Sequence, residues 1–415
     1  MHPQWTPMQW PAGWVDPSAL ALLQGTSINY LLVQRETALE SVVAEALKKG
    51  INVGEPGSPP AGVVITKGEW PGVEVAKNGA VTAGPTAAPW VDSNGWVVRL
   101  AAALQPRSAI WVDAGPKQSR SSPKSYVMAF ADAAARGGRW IISLDAQLAP
   151  AIAAQEPRAL ETWTQVNRAA DFFAAQKSWS DYVPEAVIGV ISDYSGKNEP
   201  LSRELLDLLD RTNEQYRIIP LAALSASTLR GLKAVICPDE GLPAPGLFKQ
   251  ILAFVEGGGL VIAGPQWGPI LPGSSARKAE HPRYDLRMHG TGRVAVAKAN
   301  LVDAYLLAND SVVLVSHQYD LLRFWNGGAV GSFFTMTPDR RQALVQMLFY
   351  VDRGNLQHGG MGDEITVSVA GRYRSARIRT LQQPSPREVE MEPLTDAVEL
   401  HFPAVSPYAA IELDL

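Results

Sequence analysis

"GLFKQILAFVEGGGLVIAGP", residues 246–265, sets an apolar helical run against an apolar strand run, with three glycines between them. Apolar positions Leu247, Ile251, Phe254 and Val255 recur at helical spacing, and Leu260 to Ala263 form a short continuous apolar run of the kind a sheet buries on both faces. The glycines precede a strand, so they read as a helix end and turn rather than a phosphate cradle, which opens a helix. A helix feeding a buried strand is the unit of a parallel sheet, and the same unit recurs on both sides.

Upstream, "AVIGVISD" (186–193), "YRIIPL" (216–221) and "KAVICP" (233–238) are strands, separated by the helices "SRELLDLLDRTN" (202–213) and "SASTLRGL" (225–232). This alternation predicts an open doubly wound sheet. Further upstream, "INYLLV" (28–33), "GVVITK" (62–67), "AVTAG" (80–84), "SAIWVD" (108–113) and "WIISLD" (140–145) alternate with helices at 36–50, 93–105 and 122–138. A complete eight-stranded barrel takes about 250 residues, more than precede the boundary expected near Asp181. A short or degenerate β/α barrel is therefore expected over 1–181, ending in a long helix from about 154.

Downstream, "RVAVAKA" (293–299), "SVVLVSH" (311–317) and "AVGSFFTMT" (329–337) read as antiparallel strands, and "PDRRQALVQMLFYVD" (338–352) as a closing helix. "EITVSVAG", "RSARIRTL", "AVELHF" and "YAAIELDL" alternate polar and apolar residues between turn formers, which predicts a small antiparallel β-sandwich over 355–415. The middle unit then covers 182–354.

The order of barrel-like unit, doubly wound unit and small β unit ending in "PAVSPYAAIELDL" resembles the layout of family-42 glycoside hydrolases and related bacterial β-galactosidases. The stretch from "DFFAAQKSW" through "AVIGVISDYS" to "AFVEGGGLVIAGP" is similar to the middle domain of that family. The resemblance implies a class I amidotransferase-like fold there, self-association through it, and carbohydrate as substrate. The first unit departs from the family, lacking both the full barrel and the Asn-Glu pair that supplies the acid after the fourth strand.

Composition bounds the remaining classes. With 46% hydrophobic and 19% charged residues over 415 positions, the chain has material for several cores. A net charge of −4 gives no general attraction to nucleic acid or anionic lipid. No apolar run approaches the roughly 20 residues that span a bilayer, and the opening "MHPQWTPMQWPAGWVDP" lacks the basic-then-apolar order of a signal peptide. The compartment is left open, cytoplasmic or exported. No cofactor and no metal are expected.

The single cysteine, Cys237, is followed by Pro238, which has no N–H to complete an oxyanion hole. It reads as a small buried hydrophobe. His281 and His289 lack the spacing of a zinc motif, and His317 with Asp320 reads as a surface pair.

Ligands in α/β architectures meet the carboxyl ends of strands. Those ends in the first unit offer Glu69, Asp92, Asp113 and Asp145 as candidate catalytic carboxylates, since glycoside hydrolysis requires a pair. Asn94, Trp96, Trp90 and Trp70 are the candidate sugar-binding residues, with "WVDSNGW" (90–96) as the leading site. Each carboxylate has a competing role as a helix cap or solvated loop residue, and Trp111 and Trp140 read as core. Two functions follow from the sequence: a glycoside hydrolase acting through such a pair, or a non-catalytic glycan-binding or oligomeric scaffold protein with the same layout.

Overall fold

A computed structural model of the protein describes residues 5–73, 90–271, 275–350, 364–403 and 405–415. The expected strand at 80–84 lies outside the described residues. The chain is a mixed α/β protein with several sheets.

Strands Pro7–Gln9, Tyr30–Leu32 and Asn52–Gly54 form one parallel sheet, and Val63–Lys67, Ala109–Asp113 and Arg139–Trp140 a second. A parallel bridge between Met8 and Ile142 joins them. There Gln9 N donates to Ile142 O at 2.9 Å and Ile142 N to Pro7 O at 3.0 Å. Among the described residues no ladder links the outer strands Asn52–Gly54 and Val63–Lys67. Tyr30 and Leu32 nevertheless share one apolar cluster with Val63, Trp111 and Ile141.

Helices Glu40–Lys48, Pro123–Ala135, Leu148–Ala153 and Pro157–Ala175 pack over this arrangement. The second of these starts where Ser122 accepts from Ser125 N and Pro123 fixes the first turn. It is buried continuously from Tyr126 to Ala135. A helix apolar on nearly all sides must be covered on all sides, and here the strand Gln342–Phe349 adds to the cover: Gln346 Nε2 donates to Ala135 O at 2.8 Å.

The middle sheet has the spatial order Tyr216–Pro220, Ile188–Ser192, Ala234–Cys237, Leu260–Ala263, Gly292–Ala297, Tyr284–His289, Ser275–Glu280. The first five strands are parallel and the last two turn back antiparallel. The order reverses between Ile188–Ser192 and Ala234–Cys237, as in open doubly wound sheets. Apart from the short antiparallel pair Gly72–Val73 and Val91–Asp92, the remaining strands form two antiparallel sheets over a shared apolar cluster. One runs Leu322–Trp325, Glu364–Ala370, Ala397–Pro403, Glu390–Pro393; the other Arg387–Glu388, Ser375–Thr380, Tyr408–Asp414, Gln342–Phe349, Val330–Met336, Val183–Pro184.

Three local expectations are corrected. Residues 311–317 belong mostly to the helix Ala304–Val315, capped by Asp303. Gln342–Phe349 is a strand between Val330–Met336 and Tyr408–Asp414, not a helix. Residues 225–231 form turns, because Ser225 and Thr228 bond each other's backbone N–H and so compete with a helix.

Candidate functional site

A cavity of about 510 Å³ opens at the carboxyl ends of strands Pro7–Gln9, Ala109–Asp113 and Arg139–Trp140. Its apolar walls come from Trp10, Pro11, Trp14, Leu144, Ala149 and Pro150, and its polar groups from Gln9, Gln34, Lys117, Gln118, Ser143 and Asp145. The walls are fixed by local bonds: Trp10 Nε1 donates to Trp14 O at 2.9 Å, Trp14 Nε1 to Ala149 O at 3.0 Å, and the two rings meet edge to face. Ser143 Oγ reaches Gln9 Oε1 at 3.3 Å across the bridge that joins the two sheets.

Asp145 is the one carboxylate among the described lining residues, and it is fully buried. Its Oδ2 accepts from Ser121 N and the Tyr126 hydroxyl, both at 2.8 Å. Its Oδ1 accepts from Gln147 N at 2.9 Å and Leu148 N at 2.8 Å, which caps the helix Leu148–Ala153. Four donors occupy the carboxylate's acceptor sites, leaving it no free lone pair for a reacting group.

Lys117 is the one charged donor among the described lining residues. Its ammonium lies 4.9 Å from the centre of the Trp70 ring. Burial lowers its pKa from the ordinary lysine value, and the nearby Asp145 charge opposes that shift.

The other candidates sit elsewhere. Asp113 Oδ1 accepts from Gly115 N at 2.9 Å and so shapes its own turn. Glu69 is exposed. Asp92 lies on the short pairing of Gly72–Val73 with Val91–Asp92 and, contrary to the cap expected of it, leaves the helix Gly95–Leu104 to start at Asn94. None of these three lines the cavity.

Asn94 is buried and acts as a bracket. Its Oδ1 accepts from Glu69 N at 2.8 Å, and its Nδ2 donates to Glu69 O and to Asp132 Oδ2. Trp90 carries the Arg211 guanidinium 3.7 Å above its ring, and Trp96 packs against the core of the middle sheet. Trp70 is half-buried, donates to Gly115 O, and meets Tyr126 and Trp140 edge to face; it adjoins the cavity through Lys117. The stretch 90–96 therefore packs toward the middle sheet and does not line the cavity. Trp111 and Trp140 are fully buried, as expected.

In the middle sheet Cys237 is buried, and burial pushes its thiol well above the ordinary range. It adjoins a pocket of about 100 Å³ at the point where strand order reverses. Asp239 there already accepts from Ser192 Oγ at 2.5 Å and from Asp193 N at 3.1 Å.

The residues that build the cavity, from Gln9 to Trp14, 116–118 and Ser143, were not among the sequence-derived candidates. A search of strand ends for carboxylates finds only Asp145 of the lining, whose other polar groups are amides, a hydroxyl and a lysine. The three-residue strand Pro7–Gln9 is also too short to register as a periodic run.

No protein-family profile matches the chain, and no curated protein matches it in sequence. Solved structures do. The α-L-fucosidase isoenzyme 2 from Paenibacillus thiaminolyticus aligns with a TM-score of 0.51 at 14% identity, over 91% of this chain and 70% of that one. The β-galactosidase from Bacillus circulans sp. alkalophilus gives 0.52 at 12%, over 77% and 57%. Gan42B, a GH42 β-galactosidase from G. stearothermophilus, gives 0.51 at 10%, over 91% and 66%. The chain thus spans 57% to 70% of the length of these enzymes. At such identities the likeness is one of fold, and the chain has the layout of these glycoside hydrolases.

Proposed function

We propose that the protein binds a saccharide in the cavity bounded by Trp10, Trp14, Gln34, Lys117 and Ser143, and does not hydrolyse it. The observation that carries this reading is the state of Asp145. Hydrolysis by the usual route requires two carboxyl groups, one a proton donor and one a base or nucleophile. The cavity offers one among its described residues, and four donors already hold it. Amides, a hydroxyl and an ammonium beside apolar walls are the groups that hold sugar hydroxyls in place without catalysis.

On this reading the first unit is a degenerate β/α barrel, open between Asn52–Gly54 and Val63–Lys67, that kept its ligand-facing end and lost its acid pair. The middle unit is an amidotransferase-like domain without a usable nucleophile, and self-association through it belongs to the same proposal. The last unit is a β-sandwich. The pairing of Leu322–Trp325 and Gln342–Phe349 with later strands supports a boundary near Asp320 in place of one at Gly354.

The test is binding of a panel of fucosylated and galactosylated oligosaccharides to the wild type and to the triple variant Gln34→Ala, Lys117→Ala, Gln118→Ala. Binding by the wild type and its loss in the variant support the proposal. Equal binding by both places the site elsewhere.

A further inference from the structure

Away from the cavity, Glu214, His317 and Asp320 present one ligand atom each, all within 4.8 Å of one another. Glu214 belongs to the loop that follows the helix Glu199–Asp210, and His317 and Asp320 to the segment between the helix Ala304–Val315 and the strand Leu322–Trp325. We propose that these three side chains form a binding site for a divalent transition metal ion, which ties the middle unit to the segment leading into the last one.

Glu214 is half-buried and, among the described residues, its carboxylate makes no hydrogen bond or salt bridge, while a second carboxylate, Asp320, faces it. Arg323 Nε donates to Asp320 Oδ2 at 3.2 Å. Held that way, Arg323 orients the Asp320 carboxylate as an outer-shell donor does at metal sites.

The spacing fits. His317 Nδ1 lies 3.0 Å from Asp320 Oδ2, close to the roughly 3.3 Å edge of a tetrahedron with zinc–ligand bonds of about 2.0 Å. The Glu214 carboxylate lies within 4.8 Å of both other ligand atoms, so at most about 1.5 Å of approach completes the set. Ser316, which delivers His317, has φ 78° and ψ 133°, a conformation side chains seldom permit. One imidazole and two carboxylates suit zinc and leave a fourth position for water.

A competing group exists on the last unit, where Glu392, Glu399 and His401 lie close together on paired strands. The experiment therefore uses the full chain, stripped with a chelator and titrated with zinc by calorimetry. Four forms are compared: wild type, Glu214→Gln, His317→Ala and Glu399→Gln. The proposal predicts one zinc per chain in the wild type, with a raised thermal midpoint. Affinity falls on the order of 10- to 100-fold or more in Glu214→Gln and His317→Ala, at least the cost of losing an outer-shell partner, and is unchanged in Glu399→Gln. Zinc bound equally by all four forms, lost only in Glu399→Gln, or not bound at all, overturns it.

Discussion

Arg136 Nη2 stands 3.2 Å from Asp210 Oδ2, and neither side chain reaches solvent to any useful extent. The pair joins the helix Pro123–Ala135 of the first unit to the helix Glu199–Asp210 of the middle one. Arg99 Nη1 approaches the other oxygen of Asp210 at 3.3 Å. Asp132, one helical turn before Arg136, accepts from the Tyr350 hydroxyl at 2.7 Å and from Asn94 N at 2.6 Å. The two helices and Tyr350, next to the strand Gln342–Phe349, thus meet at one buried polar cluster.

Breaking a buried pair leaves an uncompensated charge and costs about 3–5 kcal/mol. Asp210→Ala is accordingly expected to lower unfolding free energy by that order in denaturant titration. Gly95→Ala is expected to act in the same direction, since a Cβ there would stand 2.5 Å from Asp210 Oδ2 and 3.0 Å from Arg136 Nε. A change below about 1 kcal/mol for Asp210→Ala would show that the network contributes little beyond an exposed pair.

Asp145 holds the segment that follows the strand Arg139–Trp140 to the start of the next helix. Asp145→Ala removes a helix cap, at about 0.5–2 kcal/mol, and also leaves Tyr126 Oη and Ser121 N without their acceptor. The expected result is a lower thermal midpoint together with weaker saccharide binding, because the cavity wall at Leu144 and Ala149 loosens. Unchanged stability would remove the structural role assigned to it.

The pH dependence of stability tests the junction independently. Burial pushes the Asp207 carboxyl up to about 7, against the pull of Arg211 beside it. Asp210 and Asp92 add to the rise. A carboxyl whose folded pKa exceeds its unfolded one binds more protons in the folded state, so its stabilising contribution is present below the unfolded value and is lost as pH rises through the folded one. The thermal midpoint is expected to fall between about pH 4 and about pH 7, and Asp207→Asn is expected to flatten that slope. A slope identical in the variant would contradict the assignment.

Cys237 is expected to be inert. Its burial, raised pKa and the proline after it predict no reaction with thiol reagents in the native protein and one equivalent after unfolding. Rapid native labelling would reopen the middle unit as a reactive centre.

Much of the architecture was legible because apolar runs such as 186–193 and 260–263 are bounded by turn formers and buried on both faces. The misreadings share a cause. Residues 311–316 are rich in valine and look like a strand, yet the helix Ala304–Val315 is buried on most sides and so shows no clear helical stripe. Residues 342–349 are rich in good helix formers, yet two neighbouring strands capture them, and pairing outweighs local propensity. The carboxylates were legible as residues at strand ends; which of them shared a cavity was not. That depends on how six short strands curl, which periodicity does not encode.

The central claim is that the first unit binds a saccharide and leaves it intact. Isothermal titration of galactosylated and fucosylated oligosaccharides into the protein tests both halves at once, since binding gives heat that saturates and turnover gives heat that persists while substrate lasts. Saturating heat with one site per chain, lost in the Gln34, Lys117 and Gln118 triple variant, is the predicted result. Persistent heat proportional to protein concentration would establish a hydrolase, and no heat with any saccharide would contradict the account.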